Sequence, residues 1–599
     1  MSTPIADYAV LGDTERAALV SRSGSVDWLC LPRFDSPSCF AALLGTPEHG
    51  RWLLGPTAEP RTTRGYRGDT FILDTVHETE LGRVRVTDLM PANDGRADLL
   101  RGVEGLEGEV EMLHEWIVRT DYGKVIPWVS HVSDDEGRDV IRAIAGPDML
   151  VLRGTRLPSA VDHVHRDTFT VRAGERLEFS MTWAPSWEPV PNRLSVDSRI
   201  EETQRIVGQW VDNCSHTGRY QDQVIRSLLV LKLLTDELRG GIVAAPTTSL
   251  PEDPGGSRNW DYRYCWLRDA SLTLEALLAS GYLEETRIWR NWLVRAVAGD
   301  PADLQIMYAV DGGRQLAERE LDHLPGYAGS RPVRVGNGAV DQRQSDVLGE
   351  VMIAFEEARR LGIEESPDTW AVQRVLVDDL ADHWDQPDHG LWEIRGPTRH
   401  FTHSRVMVWA AFDRAVRGVE EYGLDGDVER WREVRDTVHA EVLERGYDPE
   451  RNTFTQHYDT TAVDASLLLI PSVGFLPAND ARVLGTVAAV EEDLLYHGFL
   501  LRYRTDTGVD GLEGEENPFL ACSWWLVSAY AGCGRLNDAI ELMDRLVALL
   551  NDVGLVSEEY DPVNKQMVGN FPQAFSHLAL IGAALAIEAA TASAEVREE

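Results

Sequence analysis

The chain has 599 residues and a hydrophobic content of 43%, so it can bury large cores and is long enough for more than one domain. Its formal net charge is −40, and a field of that sign repels phosphate. Nucleic acid and anionic membranes are therefore disfavoured as partners, whereas a neutral substrate is compatible with the charge.

The cysteines and the N-terminus indicate the compartment. None of the six cysteines belongs to a CxxC or CxxH pair, so we expect no metal site and no cofactor. Thiols without such pairing, in a chain this long, are typical of a reducing compartment. The segment Met1-Ser-Thr-Pro-Ile-Ala-Asp7 lacks a basic and an apolar region, and the apolar run from Leu578 to Ile587 is too short to cross a bilayer. We expect a soluble cytoplasmic protein, for which a homo-oligomer stays open.

Short alternating runs dominate residues 1–197. Examples are Val26-Asp-Trp-Leu-Cys-Leu31, Met112-Leu-His-Glu-Trp-Ile-Val118 and Leu177-Glu-Phe-Ser-Met-Thr-Trp183. Runs of this length, in which apolar and polar residues alternate between turn signals, are typical of strands in a sandwich. We therefore predict an N-terminal β-sandwich domain over residues 1–197.

The pattern changes near Asp197 to one with a helical period. Residues 198–219 are predicted to be a helical linker, and residues 220–595 a second domain. Twelve helices are predicted there, over 220–239, 269–280, 283–298, 341–361, 367–385, 402–421, 426–446, 463–471, 479–496, 517–533, 535–551 and 571–592. They fit an (α/α)6 barrel with inner and outer rings, which gathers its loops around a pocket at one end. A generic helical array is the alternative, although no fixed-period repeat is present.

One stretch within this domain has an unusual composition. Gly256-Ser-Arg-Asn-Trp-Asp-Tyr-Arg-Tyr-Cys-Trp-Leu-Arg-Asp269 holds four aromatic residues, three arginines and two aspartates. A sugar offers hydroxyl groups to charged side chains and C–H faces to flat rings, so this mixture indicates a pocket for a polyhydroxylated ligand. An aromatic core strand with surface arginines is the competing interpretation.

Carboxylates stand in two contrasting settings further along the chain. Glu393 follows a tryptophan in Leu391-Trp-Glu, where partial burial would keep a carboxyl group protonated. Glu558 lies in Ser557-Glu-Glu-Tyr-Asp561, where hydroxyl donors could keep a carboxylate ionised. Glycoside hydrolysis needs such an acid and base, which stand ~6.5–9.5 Å apart in inverting enzymes. Glu516, at the start of an apolar helix, is a further candidate.

Taken together, the motifs resemble glycoside hydrolase family 15. The five that carry the resemblance, in the family's order, are Arg258-Asn-Trp-Asp-Tyr-Arg-Tyr-Cys-Trp-Leu-Arg-Asp269, Ser330-Arg-Pro-Val-Arg-Val-Gly-Asn337, Leu391-Trp-Glu393, Gly514-Glu-Glu-Asn-Pro-Phe519 and Ser557-Glu-Glu-Tyr-Asp561. The opening Ile5-Ala-Asp-Tyr-Ala-Val-Leu-Gly12 is similar to the N-terminal region of the prokaryotic trehalase-like branch. The resemblance implies an N-terminal β-sandwich, a linker and a catalytic (α/α)6 barrel.

The resemblance also implies residue roles. Glu393 would be the general acid and Glu558 the general base, with Glu559 and Glu516 as alternatives for the base. Sugar binding is assigned to seven residues: Tyr262, Trp266, Arg268, Asp269, Arg331, Arg334 and Trp392. Among them, Arg268 and Asp269 would grip the glucose in the −1 subsite, and Tyr262 would stand beside the catalytic water.

Two departures from fungal glucoamylases favour a short substrate. Gly329 stands where those enzymes carry a stacking tryptophan, and Ile394 where they have a second acidic residue. The leading interpretation is an inverting exo-α-glucosidase of the trehalase type, and the alternative is a glucoamylase- or isomaltase-like enzyme for short α-glucans. A disaccharide phosphorylase would use phosphate and no carboxylate base, and a sugar-binding regulator would not need both glutamates.

Overall fold

A computed structural model of the chain describes residues 2–92, 95–297, 299–512 and 514–598, except for the side chains of 595–598. The first part of the chain forms strands. They are β1 (Tyr8–Gly12), β2 (Ala17–Ser21), β3 (Ser25–Cys30), β4 (Ser38–Phe40), β5 (Arg51–Pro56), β6 (Arg61–Tyr66), β7 (Leu73–Glu78), β8 (Gly82–Leu89), β9 (Ala97–Ile117), β10 (Trp128–Ser133), β11 (Asp139–Ala145), β12 (Asp148–Gly154), β13 (Ser159–Val161), β14 (Val164–Arg172) and β15 (Arg176–Pro185).

The long strand β9 belongs to both sheets of this domain. Its first half pairs antiparallel with β8 and β15, and its second half with β5 and β14. On β14, Phe169 and Val171 are buried whereas Arg172 is exposed, because successive side chains point to opposite faces. The Phe169 ring lies 6.0 Å from that of Phe179 on β15, so the apolar faces of the two sheets meet. The predicted β-sandwich is confirmed as a sheet-rich N-terminal domain.

Helix α1 (Val196–Val211) follows the last strand. It begins after Ser195, whose side chain accepts a hydrogen bond from the Ser198 amide and so satisfies one of the free N–H groups of the first turn. Helical structure therefore starts close to the predicted linker. The division into 1–197, 198–219 and 220–595 stays a prediction.

The second domain is built from helices in two rings. They are α2 (Gln221–Leu233), α3 (Leu267–Ala279), α4 (Glu284–Val297), α5 (Asp346–Arg360), α6 (Pro367–His383), α7 (Thr402–Tyr422), α8 (Val428–Arg445), α9 (Ala481–Leu494), α10 (Leu520–Gly532), α11 (Leu536–Val547) and α12 (Ala574–Glu598). Helices α3, α5, α7, α10 and α12, with a short 3-10 segment between α7 and α10, contact one another in sequence and close the inner ring. The remaining helices pack outside it, as an (α/α)6 barrel requires.

One predicted helix of the inner ring is much shorter than expected. Where a helix over 463–471 is predicted, the chain forms a 3-10 helix of 5 residues, Ala465–Leu469. The Asp464 side chain caps its start, and Pro471 and Gly474, whose φ is 82°, end the helical path soon after it. Ala298, the predicted end of another helix, lies outside the described residues.

Helix α12 is apolar over a longer stretch than the sequence run from Leu578 to Ile587. Within the described residues it is the one helix long and apolar enough to cross a membrane, over Ala574–Ala594, and 61% of that window is buried inside the protein. It packs against α2, α3 and α10. Its apolar character is therefore explained by its place in the inner ring, where the helix is in contact with other helices on several sides.

Candidate active site

The loops that precede the inner helices meet around one pocket. Six of the predicted site residues line it: Tyr262, Trp266, Arg268, Asp269, Trp392 and Glu393. Arg268 and Asp269 belong to the first turn of α3, and Glu393 lies in the loop before α7. The Tyr262 and Trp266 rings stand edge to face with centroids 5.6 Å apart, so the two side chains contact each other where they line the pocket.

Glu393 is presented to the pocket by a left-handed backbone. Its φ is 57°, a region that residues other than glycine rarely adopt. The Gln342 side-chain amide donates to the Glu393 carbonyl oxygen at 3.0 Å and so holds this turn. Burial raises the pKa of the Glu393 carboxyl, the nearby Arg268 guanidinium opposes the rise, and Asp269 adds to it. Strained backbone of this kind is common where a side chain must be aimed at a ligand.

The Arg268 guanidinium lies beside the Glu393 carboxylate. Its Nη2 lies 2.9 Å from Asp269 Oδ2 and 3.5 Å from Glu393 Oε1, and its Nη1 donates to the Leu391 carbonyl at 3.0 Å. Arg268 is 6% exposed and Asp269 is 4% exposed, so the two charges are paired and almost dry. Charged hydrogen-bonding groups held in this way can bind the hydroxyl groups of a sugar.

Glu558 does not line the pocket directly; it lies one hydrogen bond behind Tyr262. The Tyr262 hydroxyl donates to Glu558 Oε1 at 2.7 Å, and the Asn570 amide donates to Oε2 at 3.3 Å. Gly569 makes room for it, since a Cβ at Gly569 would stand 2.7 Å from the Glu558 side chain and its φ is 78°. The side chain is therefore fixed by its surroundings on several sides.

The protonation of Glu558 differs from the sequence expectation. Burial and the negative charge of Glu252 raise the pKa of Glu558 to about 8, although Arg502 and the Tyr262 hydroxyl act in the opposite direction. Ser557, which was expected to hold the carboxylate ionised, donates instead to the Glu559 carbonyl at 2.8 Å. The stabilising hydroxyl comes from Tyr262, which lies nearly three hundred residues earlier in the chain.

Glu559 and Glu516, the alternatives for the base, belong to a separate buried network. Both carboxylates contact Arg502, Glu559 at 3.0 Å, and Glu252 contacts the same guanidinium nitrogen at 3.1 Å. The oxygens of the three glutamates lie within 4.8 Å of one another, a spacing that a metal ion could bridge. Here the Arg502 cation supplies the counter-charge, so the arrangement fits an ion-pair network.

Two predicted sugar-binding residues lie elsewhere. Arg331 is exposed and is not part of the pocket lining. Arg334 is buried, but its Nη1 donates to the carbonyl oxygens of Ser257 and Asn259 at 2.8 and 3.0 Å, and its guanidinium lies 4.6 Å from the Trp260 ring. Arg334 therefore holds the stretch that forms the pocket, and neither arginine belongs to the pocket lining. Their assignment to sugar binding stays a prediction.

Several residues of the pocket were not predicted. They include Glu252, Arg258, Trp260, Arg395, Arg502 and Phe575. Trp260 belongs to the stretch 256–269, whose aromatic and charged composition indicates a ligand pocket. Arg502 follows Phe499-Leu-Leu501 without any distinguishing pattern, and only the fold brings it beside Glu252.

Comparison with known proteins matches residues 218–585 to a family described as glycosyl hydrolases family 15, and residues 1–173 to one described as trehalase-like, N-terminal. A trehalase of Mycolicibacterium smegmatis is 38% identical over 97% of this chain and 90% of its own length. A trehalase of Mycobacterium tuberculosis is 36% identical over 97% of this chain and 89% of its own.

Among solved structures, a bacterial glucoamylase complexed with acarbose has a TM-score of 0.73. The match covers 98% of this chain and 94% of that one at 12% sequence identity. A likeness at so low an identity concerns the fold, and it confirms a sheet-rich domain followed by an (α/α)6 barrel.

Proposed function

The chain belongs to glycosyl hydrolase family 15 and is a glycoside hydrolase, and we propose that it is an inverting, exo-acting α-glucosidase that releases β-glucose from trehalose. The observation that carries the proposal is one carboxyl group in the pocket and a second one hydrogen bond behind its wall. Glu393 contacts Arg268 within it, and Glu558 holds Tyr262 in its wall. The relatives that match 97% of the chain are named trehalases, which supports this substrate.

Glu393 is proposed as the general acid. Its raised pKa keeps a proton on the carboxyl group, and the half-buried side chain reaches the pocket, where a glycosidic oxygen would receive that proton. Arg268 and Asp269 beside it would hold the hydroxyl groups of the glucose in the −1 subsite. Protonation of the leaving oxygen lets the C1–O bond break as positive charge develops on the ring.

Glu558 is proposed as the general base. In its ionised form it would take a proton from water as the water oxygen forms a bond to C1 on the face opposite the leaving group, which inverts the anomeric configuration. The Tyr262 hydroxyl, already bonded to Glu558 Oε1, would fix the carboxylate and stand beside that water. Because the pKa of Glu558 is raised to about 8, the active ionised form increases as the pH rises towards that value.

The surroundings of Ile394 support a short substrate. Ile394, which replaces an acidic residue, is buried in an apolar cluster with Phe401, Tyr503 and Val509 and offers no hydrogen bond to a longer glucan. A glucoamylase- or isomaltase-like activity on short α-glucans is the second candidate, since the same acid and base would serve both. The two candidates differ in how they hold the sugar that leaves.

We also propose that the enzyme works in the cytoplasm on a dissolved neutral saccharide, without nucleic acid or a membrane as partner. The net charge of −40 supports this, as do six cysteines that are all free thiols in the described structure. A homo-oligomer is compatible with the proposal, and light scattering would measure it.

A substrate panel tests the proposed function. The purified protein is incubated with trehalose, maltose, isomaltose and maltotriose, with and without orthophosphate, and glucose release is followed. We expect trehalose to be hydrolysed with the highest kcat/KM and phosphate not to be consumed. Turnover of the other sugars without trehalose would overturn the substrate, and release of glucose phosphate would overturn hydrolysis.

A further inference from the structure

Arg263 stands between the two domains, one residue from Tyr262. Its side chain is 0% exposed and belongs to the barrel domain. On the barrel side it forms a bidentate pair with Asp261, with Nε 2.9 Å from Oδ1 and Nη2 2.7 Å from Oδ2. This geometry uses the planar fork of the guanidinium, which a lysine cannot reproduce.

The remaining donors of Arg263 reach the β-sandwich. Nη1 donates to the Ser36 carbonyl at 2.9 Å and contacts Cys30 Sγ at 3.4 Å, and Nη2 donates to the Tyr122 hydroxyl at 3.0 Å. The guanidinium also lies 5.3 Å from the Tyr122 ring. Every N–H of the side chain is therefore used, and most contacts outside Asp261 come from the N-terminal domain.

Asp261 connects Arg263 to residues next to the pocket. Its Oδ2 accepts a hydrogen bond from the Gly336 amide at 3.1 Å, and its carbonyl accepts one from the Asn337 side chain at 3.3 Å. Asn337 lines the pocket. Between Asp261 and Arg263 the chain presents Tyr262, whose hydroxyl is bonded to Glu558.

We propose that Arg263 is a positioning residue through which the β-sandwich holds Tyr262 in register with Glu558, so that the N-terminal domain takes part in setting the catalytic base. The proposal rests on the proposed function, since it needs Glu558 to act as a base. If Arg263 only held the two domains together, its contacts would not need to involve the residues on either side of Tyr262. Substrate-positioning effects of this kind are large, because a shift of about 1 Å in a reacting group costs up to ~10²-fold in rate.

The pH dependence of hydrolysis distinguishes a role of Arg263 in positioning Tyr262 from a role in holding the two domains together. Besides Tyr262, the groups that face Glu558 are Glu252, Arg502 and Glu559. The hydrogen-bond partners of Arg263 in the described structure are Asp261, Cys30, Ser36 and Tyr122, so we expect these three groups to keep their positions when Arg263 is changed. The Tyr262 hydroxyl lowers the pKa of Glu558, so a displaced tyrosine would raise it. The acidic limb of the kcat profile would then move to higher pH, whereas a loss of folded enzyme would lower kcat equally at every pH.

The test compares Arg263→Lys and Tyr122→Phe with Tyr262→Phe as the reference for a lost hydrogen bond. The matched control is Arg226→Lys, because Arg226 also joins the barrel to the sandwich, donating to the Thr70 and Gly68 carbonyls at 2.8 and 3.2 Å, away from the pocket. We expect Arg263→Lys to lower kcat roughly 10-fold with little change in KM, and its acidic limb to move up by about half a pH unit or more. Tyr122→Phe should shift the limb in the same direction by less, and Arg226→Lys should leave it unchanged.

An unchanged profile in Arg263→Lys and Tyr122→Phe, or an equal shift in Arg226→Lys, would overturn the proposal. If Arg263→Lys does not fold, Tyr122→Phe decides, since it removes one hydroxyl group and keeps the ring. A wild-type protein that hydrolyses no α-glucoside would overturn the proposed function and this inference with it. An active wild type with unshifted variants would overturn this inference alone.

Discussion

Glu393 and Glu558 are held in very different ways. The Glu393 side chain is 22% exposed and sits on a left-handed backbone, which costs of order 1–3 kcal/mol that the surrounding contacts must offset. Glu558 is 1% exposed, and both of its carboxylate oxygens accept a hydrogen bond. Glu393, the proposed acid, is therefore accessible to a ligand, whereas Glu558, the proposed base, is fixed behind Tyr262 in the pocket wall.

Amide substitutions test the proposed base and the proposed acid. Glu558→Gln should lower kcat on trehalose by ~10²–10⁴-fold, because an amide cannot take a proton from water. Glu393→Gln should cause a loss of similar size, because it removes the acid proton. Steady-state kinetics, with circular dichroism to verify folding, measure both effects.

Glu559→Gln and Glu516→Gln are the matched controls, since each removes one carboxylate of the buried network around Arg502. Both residues contact Arg502, so these variants should change KM or stability more than the chemical step. Full activity in Glu558→Gln together with its loss in Glu559→Gln or Glu516→Gln would show that the base is misassigned.

Glu252 gives a prediction for the pH profile. Its negative charge raises the pKa of Glu558, so Glu252→Gln should lower that pKa and move the acidic limb of kcat to lower pH. The variant keeps a side-chain oxygen that can accept the bond from Trp260 Nε1, which Glu252 accepts at 3.0 Å. A limb that stays in place or moves to higher pH would contradict this electrostatic account of the base.

At the level of helices and loops, the sequence predicted the elements better than their contacts. Periodicity located the helices of both rings, since each buries one apolar face. It failed at 463–471, where an apolar run is long enough for a helix but is capped and ended after Leu469. Which loop arginines line the pocket was harder to predict, because Arg331, Arg334 and Arg502 differ in their three-dimensional surroundings and not in local sequence pattern.

Helix α5 begins with a buried carboxyl group, Asp346, which makes the stability of the protein depend on pH. Asp346 is 0% exposed, neither of its oxygens has a hydrogen-bond partner among the described residues, and burial raises its pKa from 3.8 to about 7. The folded state therefore binds this proton more tightly than the unfolded state. Its contribution to stability is present below pH 3.8 and is lost as the pH rises to about 7.

Asp346→Asn removes that titration. The free energy of unfolding of the variant, relative to the wild type, should increase between pH 5 and pH 8, with each pKa unit worth about 1.4 kcal/mol. Urea unfolding at the two pH values measures it. Asp368→Asn, a change of an exposed aspartate in the first turn of α6, should show no such increase. The prediction fails if the two variants respond to pH alike.

At the scale of the whole molecule, the sandwich and the barrel meet beside the pocket. Trp28 of β3 donates to the Pro246 carbonyl at 2.8 Å, and Tyr327 of the barrel domain donates to the Thr3 carbonyl at 2.9 Å. The sequence predicted two domains but not this contact, because no local pattern reports which residues of one domain touch the other. The proposed positioning role of Arg263 depends on this interface, because Arg263 donates to the Ser36 carbonyl and the Tyr122 hydroxyl across it.

The stereochemistry of the first product tests the central claim most directly. Trehalose is mixed with the enzyme, and the anomeric protons of released glucose are followed by NMR within the first minutes, before the anomers interconvert. Inversion predicts β-glucose from the cleaved unit and an equal amount of α-glucose from the leaving unit. Early release of α-glucose alone would contradict an inverting mechanism with Glu393 as acid and Glu558 as base.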